Sequence, residues 1–426
     1  MAKFNVLVFP SGEINAIELH SALSSCVNID LFGASSVDRH GPFVFKNYFS
    51  GLPYINEADF IPKLNKIIDE YSIDLIFPTH DTVALFFAEN KEKIHSKVLT
   101  PDLQTANICR SKKKMYSFFS DCFFIPKIYK LEEALKFPIF IKPDEGQGGK
   151  GATLIKSYEE LEAIETIDDY VISEYLPGDE LTVDCITDNK GALKGVFPRD
   201  RQRVFCGVSV AGQALKANSE IINIAQTINK RLNFIGLWFF QVKKDIMDHY
   251  KLMEISSRVG GGMCLTRARG VNLPLLSVYI TMGYEIDVIQ NKYHVQMDRT
   301  LINRYKTDIK YEHVYLDFDD TLVNDEKVNL DVIRFVFQCT NEDKKIHLLT
   351  KHEQNIYDTL KRVHIDPKLF YRIVQIPVDG EKYEHINHKN AIFIDNAYRE
   401  RHAVMIKCDI PVFDVDAIEV LLDWRK

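Results

Sequence analysis

The chain has 426 residues and a mass of 49.2 kDa, which at about 100–200 residues per domain predicts two or three domains. Hydrophobic residues make up 46% and charged residues 27%, an ordinary globular composition that excludes wholesale disorder. Lys and Arg total 53 against 60 Asp and Glu, so the net charge of −7 gives no global attraction to nucleic acid or an anionic membrane.

The apolar run Phe234 to Phe240 is far short of the roughly 20 residues a spanning helix needs. The start, Met1-Ala2-Lys3-Phe4-Asn5-Val6, goes directly into strand-like sequence without a signal-peptide core. Cys26, Cys109, Cys122, Cys185, Cys206, Cys264, Cys339 and Cys408 form no C-x-x-C pair and read as reduced thiols. These features predict a cytoplasmic protein with neither nucleic-acid nor membrane partners.

In chain order, the sequence predicts a strand at 3–9, a helix at 13–23, a strand at 28–32, a helix at 60–71 and a strand at 73–77. Such alternation argues for a parallel α/β unit over 1–105. Its first turn, Pro10-Ser11-Gly12, lacks the glycine pattern of a dinucleotide site. Residues 106–290 change to mixed α+β with glycine-dense loops. The polar stretch 291–311 reads as a connection, and a second α/β unit occupies 312–426.

Three stretches of the middle segment carry chemistry. In Phe140-Ile141-Lys142-Pro143-Asp144-Glu145-Gly146-Gln147-Gly148-Gly149-Lys150-Gly151, a strand delivers a lysine to a loop whose backbone N–H groups can close on phosphate oxygens. A glycine-rich hairpin turn is the plainer reading of that loop taken alone. In Glu174-Tyr175-Leu176-Pro177-Gly178-Asp179-Glu180, extended backbone can pair with an adenine edge and a carboxylate can accept ribose hydroxyls, although a solvated acidic hairpin is the favoured reading of that stretch by itself. Finally, Gln241-Val242-Lys243-Lys244-Asp245 and Met253-Glu254-Ile255-Ser256-Ser257-Arg258 place Gln241 and Glu254 on neighbouring strands. Oxygen ligands there suit Mg²⁺, and Arg258 suits a transferring phosphoryl group.

In this order the three stretches resemble the ATP-grasp superfamily, especially ligases like the carbamoyl-phosphate synthetase large subunit, with 1–105 similar to that family's preceding Rossmann-like domain. The resemblance implies ATP and Mg²⁺ (or Mn²⁺) as cofactors. Lys112 and Lys142 would contact ATP phosphates beneath the lid of Gly146, Gly148, Gly149 and Gly151. Glu174, Tyr175 and Leu176 would meet adenine, Glu180 the ribose, and Gln241, Glu254 and Ser256 the metal. Ser256 stands where the family's E-x-N-x-R pattern has Asn, and a hydroxyl is the weaker metal ligand. The implied activity joins a small-molecule carboxylate to an amine through an acyl phosphate, releasing ADP and phosphate. Arg199, Arg201 and Arg203, at alternate positions, would share a strand face and bind the carboxylate; a solvated charged strand is the competing reading. Arg267 and Arg269, after Gly260-Gly261-Gly262, are a second candidate anchor.

In Val314-Tyr315-Leu316-Asp317-Phe318-Asp319-Asp320-Thr321-Leu322, an apolar strand ends in carboxylates two residues apart. Asp317 and Asp319 then share one side, where one can attack phosphorus and the other protonate a leaving oxygen. With Thr350, Lys382 and Asp395 following in order, the segment resembles the haloacid-dehalogenase-like (HAD) phosphohydrolases. That resemblance implies a Rossmannoid fold, Mg²⁺ held by Asp317, Asp319 and Asp395, and a phosphorylated metabolite as substrate. Asn396 stands where the family often has a second acid, and Lys389 is the alternative to Lys382. Only 322–345 separates the first two motifs, too little for a large cap. His385-x-x-His388 has metal-like spacing without an evident third ligand and reads as a polar helix end.

The expectation is a bifunctional enzyme of α/β and α+β domains, a carbon–nitrogen ligase fused to a phosphatase in a dedicated biosynthetic pathway; a homodimer is left open. The alternative is a phosphatase regulated by a nucleotide-binding, catalytically weak ATP-grasp module.

Overall fold

The computed structural model describes residues 3–131, 135–146, 148–164, 167–205 and 207–425; Gln147 of the glycine loop and Cys206 lie outside them. The chain divides into two compact units, Met1–Leu301 and Ile302–Arg425, so the first two expected domains fold together.

The first unit opens with a parallel five-stranded sheet in the order β3-β2-β1-β4-β5. Its strands are β1 (Phe4–Phe9), β2 (Ile29–Ala34), β3 (Asn47–Phe49), β4 (Leu75–Pro78) and β5 (Lys97–Val98). Alternation along β1 explains why both faces are covered. Val6 and Val8 pack with Ala16 and Leu19 of the helix Ile14–Leu23, while Leu7 and Phe9 pack with Phe60, Leu64 and Ile68 of the helix Phe60–Tyr71. The strand expected from residue 73 begins two residues later. Ser72 turns left-handed (φ 49°) and the Ile73 N–H donates to the Ile68 carbonyl at 2.9 Å, so Ile73 closes the helix.

A small antiparallel sheet follows, ordered β6-β9-β7-β8: β6 (Ile128–Tyr129), β7 (Ile139–Pro143), β8 (Thr153–Ile155) and β9 (Tyr170–Glu174). The larger antiparallel sheet, β11-β10-β14-β15, is built from β10 (Glu180–Thr187), β11 (Leu193–Asp200), β14 (Gly236–Lys244) and β15 (Tyr250–Ser256). Its core holds Trp238, stacked on Phe234 at 4.3 Å with its indole N–H donating to Thr187 Oγ1 at 2.8 Å. A third sheet joins β12 (Arg203–Phe205), β13 (Val208–Gln213) and β16 (Gln296–Asp298). The stretch 291–311 is therefore more than a connection: β16 pairs with Ala211–Gln213. Three residues held by backbone bonds to an open edge leave no hydrophobic pattern to read.

The second unit is a parallel sheet ordered β21-β20-β17-β22-β23, after a hairpin β18 (Val323–Asn324) and β19 (Lys327–Val328) is set aside. Its strands are β17 (His313–Leu316), β20 (Lys345–Thr350), β21 (Arg372–Gln375), β22 (Ala391–Ile394) and β23 (Val412–Phe413). Val314 and Leu316 pack with Val332, Phe335 and Val336 of the helix Leu330–Asn341; Tyr315 faces Val404 and Cys408 of the helix Tyr398–Cys408. Only the hairpin and the helix Leu330–Asn341 lie between β17 and β20. Among the described residues, no helix is long and apolar enough to cross a membrane.

Candidate functional site

In the first unit, the small antiparallel sheet with β7 and the larger one with β10, β14 and β15 enclose a cavity of about 370 Å³. Lys112, Lys142, Gly146, Gly148, Gly149, Glu180, Arg201, Gly207, Gln241 and Glu254 all line it. Lys142 enters from the end of β7, 8% exposed. Its amine donates to the Tyr116 hydroxyl at 2.5 Å and the Met253 carbonyl at 3.3 Å. Burial, reinforced by the charge of Lys112, pushes the Lys142 pKa down to about 7. Lys112 begins the helix Lys112–Phe118, its amine donating to the Asp144 carbonyl at 3.1 Å; burial lowers its pKa too, with Glu254 and Asp144 opposing.

Two loops meet over this cavity. Gly148, Gly149 and Gly151 have φ of 64°, 69° and 76°, and Gly207 has φ 77°. A Cβ on Gly207 would collide with the Gly148 backbone, so this close approach requires glycine on steric as well as conformational grounds. Gly207 lies outside the glycine-rich run, where no spacing signal points to it.

On the floor, β14 and β15 pair with Gln241 opposite Glu254. The amide and carboxylate oxygens offer the hard donors that suit Mg²⁺. Glu180 opens β10 and is ion-paired with Arg201 at 2.6 Å, an engagement not anticipated for a ribose acceptor. Glu174, Tyr175 and Leu176 do not line the cavity. The Glu174 carboxylate instead accepts from the Lys127 N–H at 2.8 Å, and Leu176 is buried.

A second cavity, about 240 Å³, adjoins the first and shares Gly146, Gly148, Lys150, Arg201, Gly207, Gln241 and Glu254 with it. The first sheet contributes Glu13, Asn15, His80 and Asp81 to its wall, and Arg258 faces them. Asp81 accepts from Ser256 Oγ at 2.7 Å and from Arg258 Nε at 2.9 Å. Burial alone would raise the Asp81 pKa, but Arg258 and Ser256 reverse it, and the net shift is downward. Ser256, expected as a metal ligand, thus spends its proton on Asp81 and is 3% exposed. No sequence signal near the Glu254 strand could have revealed a partner 175 residues away.

The expected row of three arginines is not a shared face. Arg199 is 3% exposed and locked to Asp184 at 3.0 Å, with Thr266 Oγ1 donating to the same carboxylate. Arg201 follows the end of β11 and takes Glu180, while Arg203, on β12, meets Asp298 in solvent. Strand β11 ends at Asp200, so the alternation behind the expectation does not continue. Arg267 pairs with the buried Glu18, and Arg269 donates to the Asn291 carbonyl at 3.0 Å. A larger cavity of about 650 Å³, beside Tyr116, Ile128, Tyr129 and Ile172, contains neither the paired oxygens nor Lys142.

In the second unit, Asp317, at the C-terminal end of β17, and Asp395, at that of β22, flank Lys382. The Lys382 amine donates to Asp317 Oδ1 and Asp395 Oδ2, each at 2.6 Å. All three side chains are buried. Burial pushes the Asp317 pKa up, the Asp395 charge adding and Lys382 opposing. Asp319 is exposed, accepting from Thr350 Oγ1 at 3.4 Å and facing His352 Nδ1 at 2.9 Å. Thr321 Oγ1 lies 3.2 Å from Asp317 Oδ2 and accepts from the Asn396 N–H at 3.0 Å. Lys389 turns away to the Cys408 carbonyl. His352 was not expected here; its place two residues after Thr350 was the available signal. The buried carboxylates of Asp317 and Asp395 share one ammonium, while the exposed Asp319 carboxylate turns to Thr350 and His352 and does not gather with them as a three-carboxylate ion site.

Residues 166–305 match the model of a family described as ATP-grasp in the biosynthetic pathway with Ter operon. A D-alanine–D-alanine ligase of Clostridium perfringens is 26% identical over 131 residues, 30% of this chain and 39% of that protein. The chain thus spans about two fifths of the length of the curated relatives it matches. Among solved structures, an L-amino acid ligase from Bacillus licheniformis superposes with TM-score 0.54 at 16% identity, covering 66% of this chain and 75% of that one. N5-carboxyaminoimidazole synthetase from Staphylococcus aureus, complexed with ADP, gives TM-score 0.55 at 13% identity, with 68% and 79% covered. The chain is a mixed α/β multidomain protein with ATP-grasp-like structural neighbours.

Two outcomes follow for the first unit. Arg199→Ala strands the buried Asp184 carboxylate and should cost about 3–5 kcal/mol in urea unfolding, whereas Arg203→Ala should stay within about 0.5 kcal/mol. Because Lys142 titrates lower when folded, the unfolded chain binds more protons between pH 7 and its ordinary lysine range. Its contribution to stability therefore rises with pH across that window, and Lys142→Met should flatten the rise.

Proposed function

We propose that the first unit is an ATP-dependent carboxylate–amine ligase. The observation that carries this reading is the convergence of Lys112, Lys142, Gln241 and Glu254 on one cavity that opens into a second. Lys112 and Lys142 would neutralise the ATP phosphates under the loop of Gly146, Gly148, Gly149 and Gly151. Gln241 and Glu254 would hold Mg²⁺, which supplies charge neutralisation on the transferring phosphoryl group. A carboxylate oxygen of the substrate attacks the γ-phosphorus and ADP leaves. An amine nitrogen then attacks the acyl carbon, phosphate departs, and the amine proton is released to solvent. Arg258, lining the second cavity, would steady the phosphoryl group. The names of two similar proteins, an L-amino acid ligase and a D-alanine–D-alanine ligase, favour amino-acid-sized substrates.

For the second unit we propose a phosphatase. An Asp317 oxygen attacks the phosphorus of a phosphate monoester while Asp319 protonates the departing alkoxide; water then hydrolyses the aspartyl phosphate. Thr350 would hold the phosphate, and Lys382 keeps Asp317 oriented through its 2.6 Å contact. Mg²⁺ held by Asp317 and Asp395 would offset the charge on the transferring group, leaving the Asp319 carboxyl to carry its proton.

The commitment of Ser256 to Asp81 favours a second reading, in which the first unit binds nucleotide and governs the phosphatase without ligating. Phosphorus NMR of ATP and Mg²⁺ with the Asp317→Asn protein and pooled carboxylates and amines separates the two. Ligation predicts ADP and phosphate that appear only with the pool. Intact ATP across the pool supports the regulatory reading, and AMP with pyrophosphate contradicts the acyl-phosphate route. For the phosphatase, hydrolysis of p-nitrophenyl phosphate should fall to background in Asp317→Asn, and activity surviving that substitution would remove Asp317 as nucleophile.

A further inference from the structure

Three imidazoles meet at the opposite end of the second unit's sheet. His313 opens β17, His347 lies on the neighbouring β20, and His388 lies three residues before the start of β22 on the other side. One ligand nitrogen from each lies within 4.8 Å of the other two. His313 Nδ1 stands 3.0 Å from His347 Nε2, and the His313 and His388 rings stack at 3.6 Å, so one of that pair must turn about its side-chain bonds for both in-plane lone pairs to reach a common ion. The spacing His385-x-x-His388 gave no third ligand in sequence. The fold supplies the group by parallel strand pairing, which opposes His347 to Tyr315 and Ala391 to His313.

We propose that His313, His347 and His388 form a binding site for a late divalent transition ion, Zn²⁺ foremost. Two nitrogens on one tetrahedral ion with bonds of about 2.0–2.1 Å sit roughly 3.3 Å apart, close to the His313–His347 separation. A nitrogen-only set selects Zn²⁺, Co²⁺, Ni²⁺ or Cu²⁺ over Mg²⁺. The contact between two ring nitrogens at 3.0 Å also requires one of them to be unprotonated. Ligation requires each imidazole neutral at the nitrogen that faces the ion. Arg372 and Lys345 place positive charge nearby and Glu312 negative charge; the ion must outbid the two cations.

This site is distinct from the carboxylate cluster. His313 and Asp317 are four residues apart on one strand, about 13 Å at 3.3 Å per residue. Tyr315 lies between them, stacked on His347 at 4.6 Å. Three protein ligands leave a fourth position for water or another donor. The bound ion would tie three adjacent parallel strands together at their N-terminal edge.

The test uses tag-free, chelator-treated full-length chain titrated with Co²⁺ and then Zn²⁺. The site predicts one equivalent of Co²⁺ with the intense visible absorption of a nitrogen-rich, low-coordinate ion, displaced by Zn²⁺. His388→Ala and His313→Ala should each weaken binding by at least about a hundredfold, while Asp395→Asn leaves the band intact. Circular dichroism checks that each variant is folded. A melting temperature that rises with Zn²⁺ in wild type supports the site without recourse to variants. Absence of a Co²⁺ band in wild type overturns the proposal. So does a band that survives both histidine substitutions or vanishes in Asp395→Asn, which would move the ion to the carboxylates.

Discussion

Lys142 is held out of water beside a second lysine, and the first unit's chemistry depends on that constraint. An ammonium in such a place is costly, and its proton is held loosely near neutral pH. Tyr116 and Met253 satisfy its hydrogen bonds, but neither brings charge. Glu254 and Glu180 supply partial compensation, and a polyphosphate would supply the rest. The left-handed glycines above it leave the loop backbone free of side chains on that side, and at Gly207 the close approach to Gly148 admits no Cβ.

Asp81 exerts the second organising influence. It begins a helix of the parallel sheet and reaches Ser256 and Arg258 of the antiparallel one. Two residues that the motif assigns to metal and phosphate are thereby positioned by a carboxylate outside it. The second cavity owes part of its wall to the same junction, and one hydrophobic core, with Val6 and Val8 beside Leu237 and Phe239, runs through both segments.

Local pattern carried a large share of this structure. The helix at 60–71, the alternation of β1 and the strand ending at Asp317 are periodic over several residues, so sequence displays them. The pairing of Gln241 with Glu254 was also legible, because a short polar turn between two apolar runs makes them neighbours. Long-range partners were not legible. Asp81 for Ser256 and Gly207 against Gly148 depend on where remote segments pack. The same holds for the histidines, which strand order assembles from positions 313, 347 and 388.

In the second unit, Lys382 plays the part that an anion would play for Lys142: it makes a close pair of buried carboxylates tolerable. The two units thus each hold a buried charge arrangement suited to phosphate chemistry. The most direct test of the account is calorimetric titration of the full-length chain with MgATP, wild type against Lys142→Met. The account predicts one equivalent bound by wild type and roughly 10- to 100-fold weaker binding by the variant, the loss of a charged hydrogen bond. No uptake by wild type, or equal affinity in Lys142→Met, would contradict it.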